Sequence, residues 1–260
     1  NLDREGCHRR EMGGRTYYIS KPALNADAVI NLPKLKTHNL TVITAAVKNM
    51  FGVIPGYRKS DYHRLFLNPR DFSELLLDIY SLREPDLTVV DAIVSMDGDG
   101  PSNGTLRRSE LLLGGRDAVS VDRVIAKIVG CPPSRIPTLR AAERRDLGVS
   151  SLDQIEVLGE AGAEIPGFRL PSVRPLYFIP SRLGRLVGGI IWVRPFISPA
   201  RCTACSSCVE SCPPKAMAMG TTHPTIDYKR CITCGCCAEL CPSGAIRMRK
   251  SPLLRLVPFE

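Results

Sequence analysis

Two stretches, RCTACSSCVESCPPKAM (201–217) and RCITCGCCAELCPSGAI (230–246), superpose position for position, with Cys202 falling on Cys231. Each carries C-x2-C-x2-C-x3-C followed by proline: Cys202, Cys205, Cys208 and Cys212, then Cys231, Cys234, Cys237 and Cys241. Nine of the 11 cysteines fall between Cys202 and Cys241, and the other two, Cys7 and Cys131, read as ordinary thiols. A disulfide framework suits a short secreted domain, whereas two tight arrays beside a larger body favour metal. A cubane iron–sulfur centre offers four irons at alternate corners. A short loop with two-residue gaps wraps three thiolates round three of them, and the fourth thiolate has to come from elsewhere in the chain. Zinc also uses C-x2-C pairs, but it takes four tetrahedral ligands, commonly from two separated pairs, and fits three successive short gaps poorly.

Residues 198–247 resemble a bacterial-type two-cluster ferredoxin domain, whose signature is this cysteine run. The resemblance implies a small α+β domain with a pseudo-twofold repeat, two 4Fe–4S clusters and single-electron relay at low potential. It also implies crossed ligation, with Cys202, Cys205, Cys208 and Cys241 on one cluster and Cys231, Cys234, Cys237 and Cys212 on the other. The small residues Ala204, Ser206, Ser207 and Gly235 between ligands let backbone amides approach the sulfurs. Cys236, beside a ligand, reads as a substituted small residue rather than a redox group.

The remaining composition is that of a globular protein: 260 residues, 44% hydrophobic and 23% charged, with 21 glycines and 21 prolines. The formal net charge of +9 is unevenly spread. Residues 1–164 carry 22 basic and 22 acidic side chains, residues 165–196 five arginines and no acid, and residues 197–260 eight basic and four acidic side chains. Eight cluster thiolates and two oxidised cores would offset the excess in 197–260, leaving the positive charge in 165–196. We therefore expect an α/β domain over 1–164, a basic Pro-rich linker over 165–196 and the ferredoxin-type domain over 197–260. Aromatics make up only 6% of the chain, and the basic residues form no reading helix, which argues against nucleic acid. No apolar run reaches the roughly 18 residues of a spanning helix. The longest, Leu186 to Val193, holds two glycines. The linker, with Trp192, can touch a membrane surface, although a cover over the body is the plainer reading. Thiols and exposed clusters favour a reducing, cytoplasmic location.

In the body, 27–32 reads as a short strand stopped by Pro33, 41–51 as helix or strand, 71–82 as a helix capped by Asp71, and 87–94 as a strand. A Gly-rich turn, a strand over 110–114, helices over 118–129 and 134–146 and a last strand over 154–158 follow. Strands alternating with helices predict an α/β body. The stretches NLPKLKTHNLTVITAAVKNMFGVIPG (31–56), VDAIVSMDGDGPSNG (90–104) and GGRDAVSVDRVIAKIVG (114–130) resemble an uncharacterised family called domain of unknown function 362. Several of its members carry a ferredoxin module after the body. They usually begin with a further α/β segment, so the resemblance implies an N-terminally truncated piece.

If Lys34 to His38 is extended, Lys34, Lys36 and His38 point to one side, with Lys48 and Asn49 within reach. Such a patch suits a carboxylate or phosphate; the plainer alternative is a solvated basic loop. Asp91 and Asp99 sit at the end of a predicted strand, where α/β ligands collect. Asp117 and Asp122 are expected to cap and open the helix that follows. The loop from Asp97 is no EF-hand, because Pro101 and Arg108 occupy its fifth and twelfth places. Three functions stay open: an electron carrier working with a redox partner protein, an iron–sulfur reductase of a small anionic substrate, and a nucleic-acid module with structural clusters.

Overall fold

A computed structural model describes residues 5–56, 58–149, 151–173, 177, 192–212, 214–231, 233 and 235–252. The chain divides into two units. One holds Asn1–Pro55, Asn68–Phe178 and Phe259–Glu260; the other holds Gly56–Leu67 and Ile179–Pro258.

The first unit opens with a hairpin, β1 (Cys7–Met12) and β2 (Arg15–Ser20), and a short helix α1 (Lys21–Asn25). A five-stranded mixed sheet follows, built from β3 (Ile30–Asn31), β4 (Lys34–His38), β5 (Val42–Thr44), β6 (Leu87–Asp97) and β7 (Thr105–Gly115). Helices α2 (Ala46–Asn49), α3 (Arg58–Leu65) and α4 (Pro69–Leu82) lie between β5 and β6, and α3 falls in the second unit. After β7 come α5 (Ala118–Ile128) and α6 (Pro137–Arg144).

β6 is the axis of the sheet. β3 and β4 run parallel to one of its edges, and β7 runs antiparallel to the other. Pro33 separates β3 from β4 because it has no amide to donate. Its carbonyl still accepts from the Asp91 amide at 2.8 Å, so the edge stays bonded across the break. The stretch read as helix or strand is both, β5 and then α2. The register of β6 and β7 shifts between Ala92 and Val94, close to Glu110, which adopts φ 55°.

The helix α4 starts two residues before its predicted cap. Asn68 accepts from the Arg70 amide at 2.9 Å, and Pro69 occupies the first helical position, where a missing amide does no harm. Phe72, Leu75, Leu76 and Ile79 are buried, as their helical spacing predicts. Asp117 caps α5 by accepting from the amides of Val119 and Ser120. Residues 155–158 form no strand. Helices α2, α4, α5 and α6 pack against one another in one layer, and Leu35, Val90 and Ala92 are fully buried in the sheet beside them. Six large apolar side chains of the sheet strands and their link stay exposed: Ile30, Leu32, Leu87, Ile93, Leu106 and Leu112.

Three buried carboxylates tie distant segments together. Asp78 of α4 accepts from Tyr17 (2.6 Å) and Arg15 (3.1 Å) of β2 and from Arg145 (2.9 Å) after α6. Asp97 at the end of β6 pairs with Arg107 (3.1 Å) and Arg169 (2.7 Å). Burial alone would push Asp97 upward, but Arg169 and Arg107 hold it below the usual carboxylate range. Asp122 does not open its own helix. It accepts from the amides of Ala46 (2.7 Å) and Val47 (3.0 Å) at the start of α2, and its burial pushes it up to about 7.

The predicted linker also needs correction, because apolar side chains at its start are buried and its end is a strand. Ile165, Phe168, Leu170 and Val173 are buried, and Arg169 is the partner of Asp97. At the other end, β8 (Val193–Ile197) pairs antiparallel with β11 (Ile246–Lys250) in the second unit. Arg194 lies over the rings of Trp192 and Tyr228. Arg174, Arg182 and Arg185 lie outside the described residues.

Two outcomes follow from these contacts. A Cβ on Gly100 would overlap both the carbonyl and the hydroxyl oxygen of Thr37, so Gly100→Ala should lower stability by about 1–3 kcal/mol in denaturant unfolding. Asp122 binds its proton more tightly folded than unfolded. Its contribution is therefore complete below about pH 4 and lost as the pH rises through 7. The difference in unfolding free energy between pH 5 and pH 8 should shrink in Asp122→Asn, and an unchanged difference would refute the assignment.

Candidate cluster-binding site

The second unit is small. Besides β8 and β11 it has a short helix α7 (Ser207–Glu210), a hairpin of β9 (Met217–Met219) and β10 (Pro224–Ile226), and a second short helix α8 (Cys236–Glu239). Its core of buried residues is Ile197, Cys208, Cys212, Ala216, Met217, Cys237 and Ile246. Three of the seven are cysteines.

The cysteines border two cavities. The first is lined by Cys202, Cys205, Cys208 and Cys241, with Thr203, Ser206, Ser207, Ser243 and Ala245. The second is lined by Cys212, Cys231, Cys236 and Cys237, with Pro214, Ala216, Thr233 and Gly235. Cys234 lies outside the described residues. Each cavity thus gathers cysteines from one array together with the last cysteine of the other. Among the described residues, no three Cys, His, Asp or Glu side chains draw together as round a single ion.

Local backbone conformation sets this arrangement. Ala204 (φ 53°), Ser206 (φ 62°) and Lys215 (φ 52°) are left-handed in the first half, and Thr233 (φ 55°), Gly235 (φ 80°) and Gly244 (φ 59°) in the second. The superposition of the two stretches pairs Ala204 with Thr233, Ser206 with Gly235 and Lys215 with Gly244, so the left-handed positions repeat with the sequence. Left-handed residues between ligands turn the chain so that successive thiols face inward. Backbone amides are already directed at sulfur: Ala216 donates to Cys212 at 3.2 Å, Ala245 to Cys241 at 3.3 Å and Ala204 to Cys202 at 3.4 Å.

Electrostatics differ between the thiols. The Ser207 hydroxyl beside Cys205 holds that thiol below its ordinary value, which favours the thiolate that metal requires. Burial pushes Cys241 up, but the Ser243 hydroxyl and the amides of Ala245 and Ile246 bring it down overall. Cys208 is raised by burial. Cys131, buried in the body, is pushed up to about 11 by its apolar surroundings, as befits an inert thiol.

The body residues proposed as an anion site are not brought together. Lys34 pairs with Asp91 at 2.8 Å, both side chains nearly half exposed, so two candidates neutralise each other. Lys36 is half-buried further along β4. His38 is 6% exposed and stacks on Phe72 of α4, while its ring nitrogen accepts from the Leu40 amide. Lys48 lies over the Phe51 ring, which packs edge-on against Phe72, and Asn49 donates to Asn31. After β4 the chain turns back with Val42 left-handed (φ 67°), and His38 packs against a helix. Asp99 accepts from Asn39 at 3.4 Å.

Sequence reasoning treats Ser207 only as a small spacer and passes over Ser243. The signal is available, because the repeat places Cys236 opposite Ser207 and Pro214 opposite Ser243.

Residues 2–127 match the domain of unknown function DUF362, and residues 201–245 match a 4Fe-4S dicluster domain. A thylakoid-associated protein of Synechocystis sp. is 38% identical over 136 residues, which are 52% of this chain and 42% of that relative. The chain therefore spans less than half the length of the curated relative it matches. Among the described residues, no helix is long and apolar enough to cross a membrane.

A core so small, and so rich in cysteine, depends on what its thiolates hold. Iron removal by a chelator should abolish amide protection in β8–β11 while the sheet around β6 keeps its protection in hydrogen exchange. Equal loss in both regions, or in neither, would contradict this.

Proposed function

For a chain that joins a DUF362 domain to a 4Fe-4S dicluster domain, we propose one-electron transfer, with the iron–sulfur unit relaying electrons between a redox partner protein and the α/β body. The observation that carries this reading is the pair of cavities, each bordered by thiols from both cysteine arrays. In this reading Cys202, Cys205, Cys208 and Cys241 hold one 4Fe–4S cluster, and Cys231, Cys234, Cys237 and Cys212 hold the other. The two cavities, each lined from both arrays, and the left-handed positions that recur in both halves support a pseudo-twofold relation between them.

When bound, such clusters supply single-electron chemistry at low potential. The chain provides the rest. Its thiolates fix the group, the amides of Ala204, Ala216 and Ala245 stabilise negative charge on sulfur, and Ile197, Met217, Ile226 and Ile246 keep water from the cavities. No substrate site is needed for this role. The work requires a reducing compartment. The thylakoid association of the relative supports a place beside a membrane, reached by peripheral contact.

Anaerobically purified protein should contain about eight iron and eight sulfide per chain, with the visible absorption of iron–sulfur centres. Cys208→Ser should remove about half of the iron. Stoichiometric zinc without visible absorption would overturn the reading.

A further inference from the structure

We propose that the outer face of the β8–β11 ribbon is a docking surface for an anionic phospholipid bilayer, where its arginines bind headgroup phosphates and its aromatic side chains sit at headgroup depth. This rests on the peripheral membrane contact in the reading above and names the surface that makes it.

Strand alternation builds the face. Arg194 stands opposite Arg249 and Phe196 opposite Arg247, while Pro195 stands opposite Met248 and Ile197 opposite Ile246. Pro195, Ile197 and Ile246 are buried and border the two cavities, so the other set points away from the cysteines. Arg247 and Arg249 are exposed, and Phe196 is 38% exposed. Tyr228 is 43% exposed and donates its hydroxyl to the Pro195 carbonyl at 2.9 Å. Arg194 lies over the rings of Trp192 and Tyr228, and Arg249 lies 3.4 Å from the centre of the Phe196 ring.

The positive charge of this face has no counterpart nearby. Among the described residues, no carboxylate pairs with Arg194, Arg247 or Arg249. No acidic residue occurs over 165–209 or over 240–259, the stretches that contain the two strands. Like charges directly opposite on paired strands are destabilising, yet Arg194 faces Arg249. The rings beneath the guanidinium groups offset part of that cost, and a layer of phosphates would offset the rest.

Size, ring contacts and sequence favour a lipid surface over other anionic partners. Each strand of the ribbon has five residues, about 17 Å of length. That offers far less than the roughly 800 Å² each partner gives to a standard protein interface. A nucleic-acid base stacks on an open ring, but guanidinium groups already lie over Phe196, Trp192 and Tyr228. Amphipathic rings beside arginine suit the headgroup layer of an anionic bilayer. The Ser251 amide donates to the Trp192 carbonyl at 2.8 Å, so the chain enters and leaves the ribbon at one end. The sequences that continue from there, LVGGII (186–191) before and PLLRLVPF (252–259) after, carry no charge except Arg255.

The test uses the anaerobic full chain with vesicles of phosphatidylcholine, alone or mixed with an equal part of phosphatidylglycerol. Binding is read by sedimentation and by the emission of Trp192, the only tryptophan in the chain. The mixed vesicles should bind more protein than the neutral ones, less so as salt rises, and should shift the emission to shorter wavelength. Arg247→Gln and Arg249→Gln should each weaken binding about fivefold, the worth of one basic residue near an anionic surface. Arg247→Lys should keep it, and Arg9→Gln, at an exposed position of the first unit, should leave it unchanged. Equal binding to both vesicles, no binding, or full binding with the two glutamine substitutions combined would overturn the proposal. So would capture by polyglutamate or a thymidine oligonucleotide without capture by vesicles, which would assign the face to an acidic protein or a nucleic acid. Iron content measured alongside separates the two readings. Protein without clusters strikes the electron-transfer reading, whereas cluster-loaded protein that ignores anionic vesicles strikes only this one.

Discussion

A thiolate cage has to aim several side chains from one short loop at a common centre, and an L-residue backbone in helix or strand cannot do so. Here left-handed conformations solve the problem, at Ala204 and Ser206 in one half and at Thr233 and Gly235 in the other. Four of the six such residues around the cages are not glycine, so each holds a conformation that disfavours it by roughly 1–2 kcal/mol. The surrounding core is too small to enforce them by apolar packing alone. The unit's conformation and its capacity to hold a cluster are thus one property, in which binding energy is folding energy.

The body is organised on a different principle. Its sheet is covered by one layer of helices, and three buried carboxylates lock elements that are far apart in sequence. Asp78 fastens the β1–β2 hairpin to α4 and to the end of α6, Asp97 fastens residues 165–173 to the end of β6, and Asp122 satisfies the first amides of α2 from within α5. Two of these acids, Asp78 and Asp97, sit beside guanidinium groups. Asp122 has only backbone donors, and this is why burial dominates it and moves its titration toward neutrality. Arg169 shows the same logic from the other side. A residue that composition assigns to a basic linker is held by a buried acid.

The legible parts of the chain are those governed by local rules. Cysteine spacing announces the centre, and apolar periodicity finds α4, α5 and the long strand β6. What spacing alone does not show is that Cys212 and Cys241 border opposite cavities, since each joins cysteines of the other array. The start of α4 is misplaced in sequence because Asp71 and Asn68 are both acceptable caps, and only the proline at the first position decides between them. Alternation along β4 correctly exposes Lys34 and leaves Lys36 half-buried, but it does not predict the burial of His38, where the strand ends against a helix. The partners of Asp122, and Arg169 as a partner of Asp97, lie on segments remote in the chain and leave no trace in any local pattern.

The outer edge of β7 has a meaning for the protein's behaviour in concentrated solution. The strand runs for 11 residues with β6 on one side and, among the described residues, no strand on the other. A flat edge of that length would be a template on which another molecule could add its own strand. Here the left-handed Glu110 and the register shift bend the edge, and the charges of Arg107, Arg108 and Glu110 line it. The same irregularity that spoils ideal pairing with β6 discourages self-assembly, so a local imperfection in the sheet helps keep one copy of the molecule from sticking to the next.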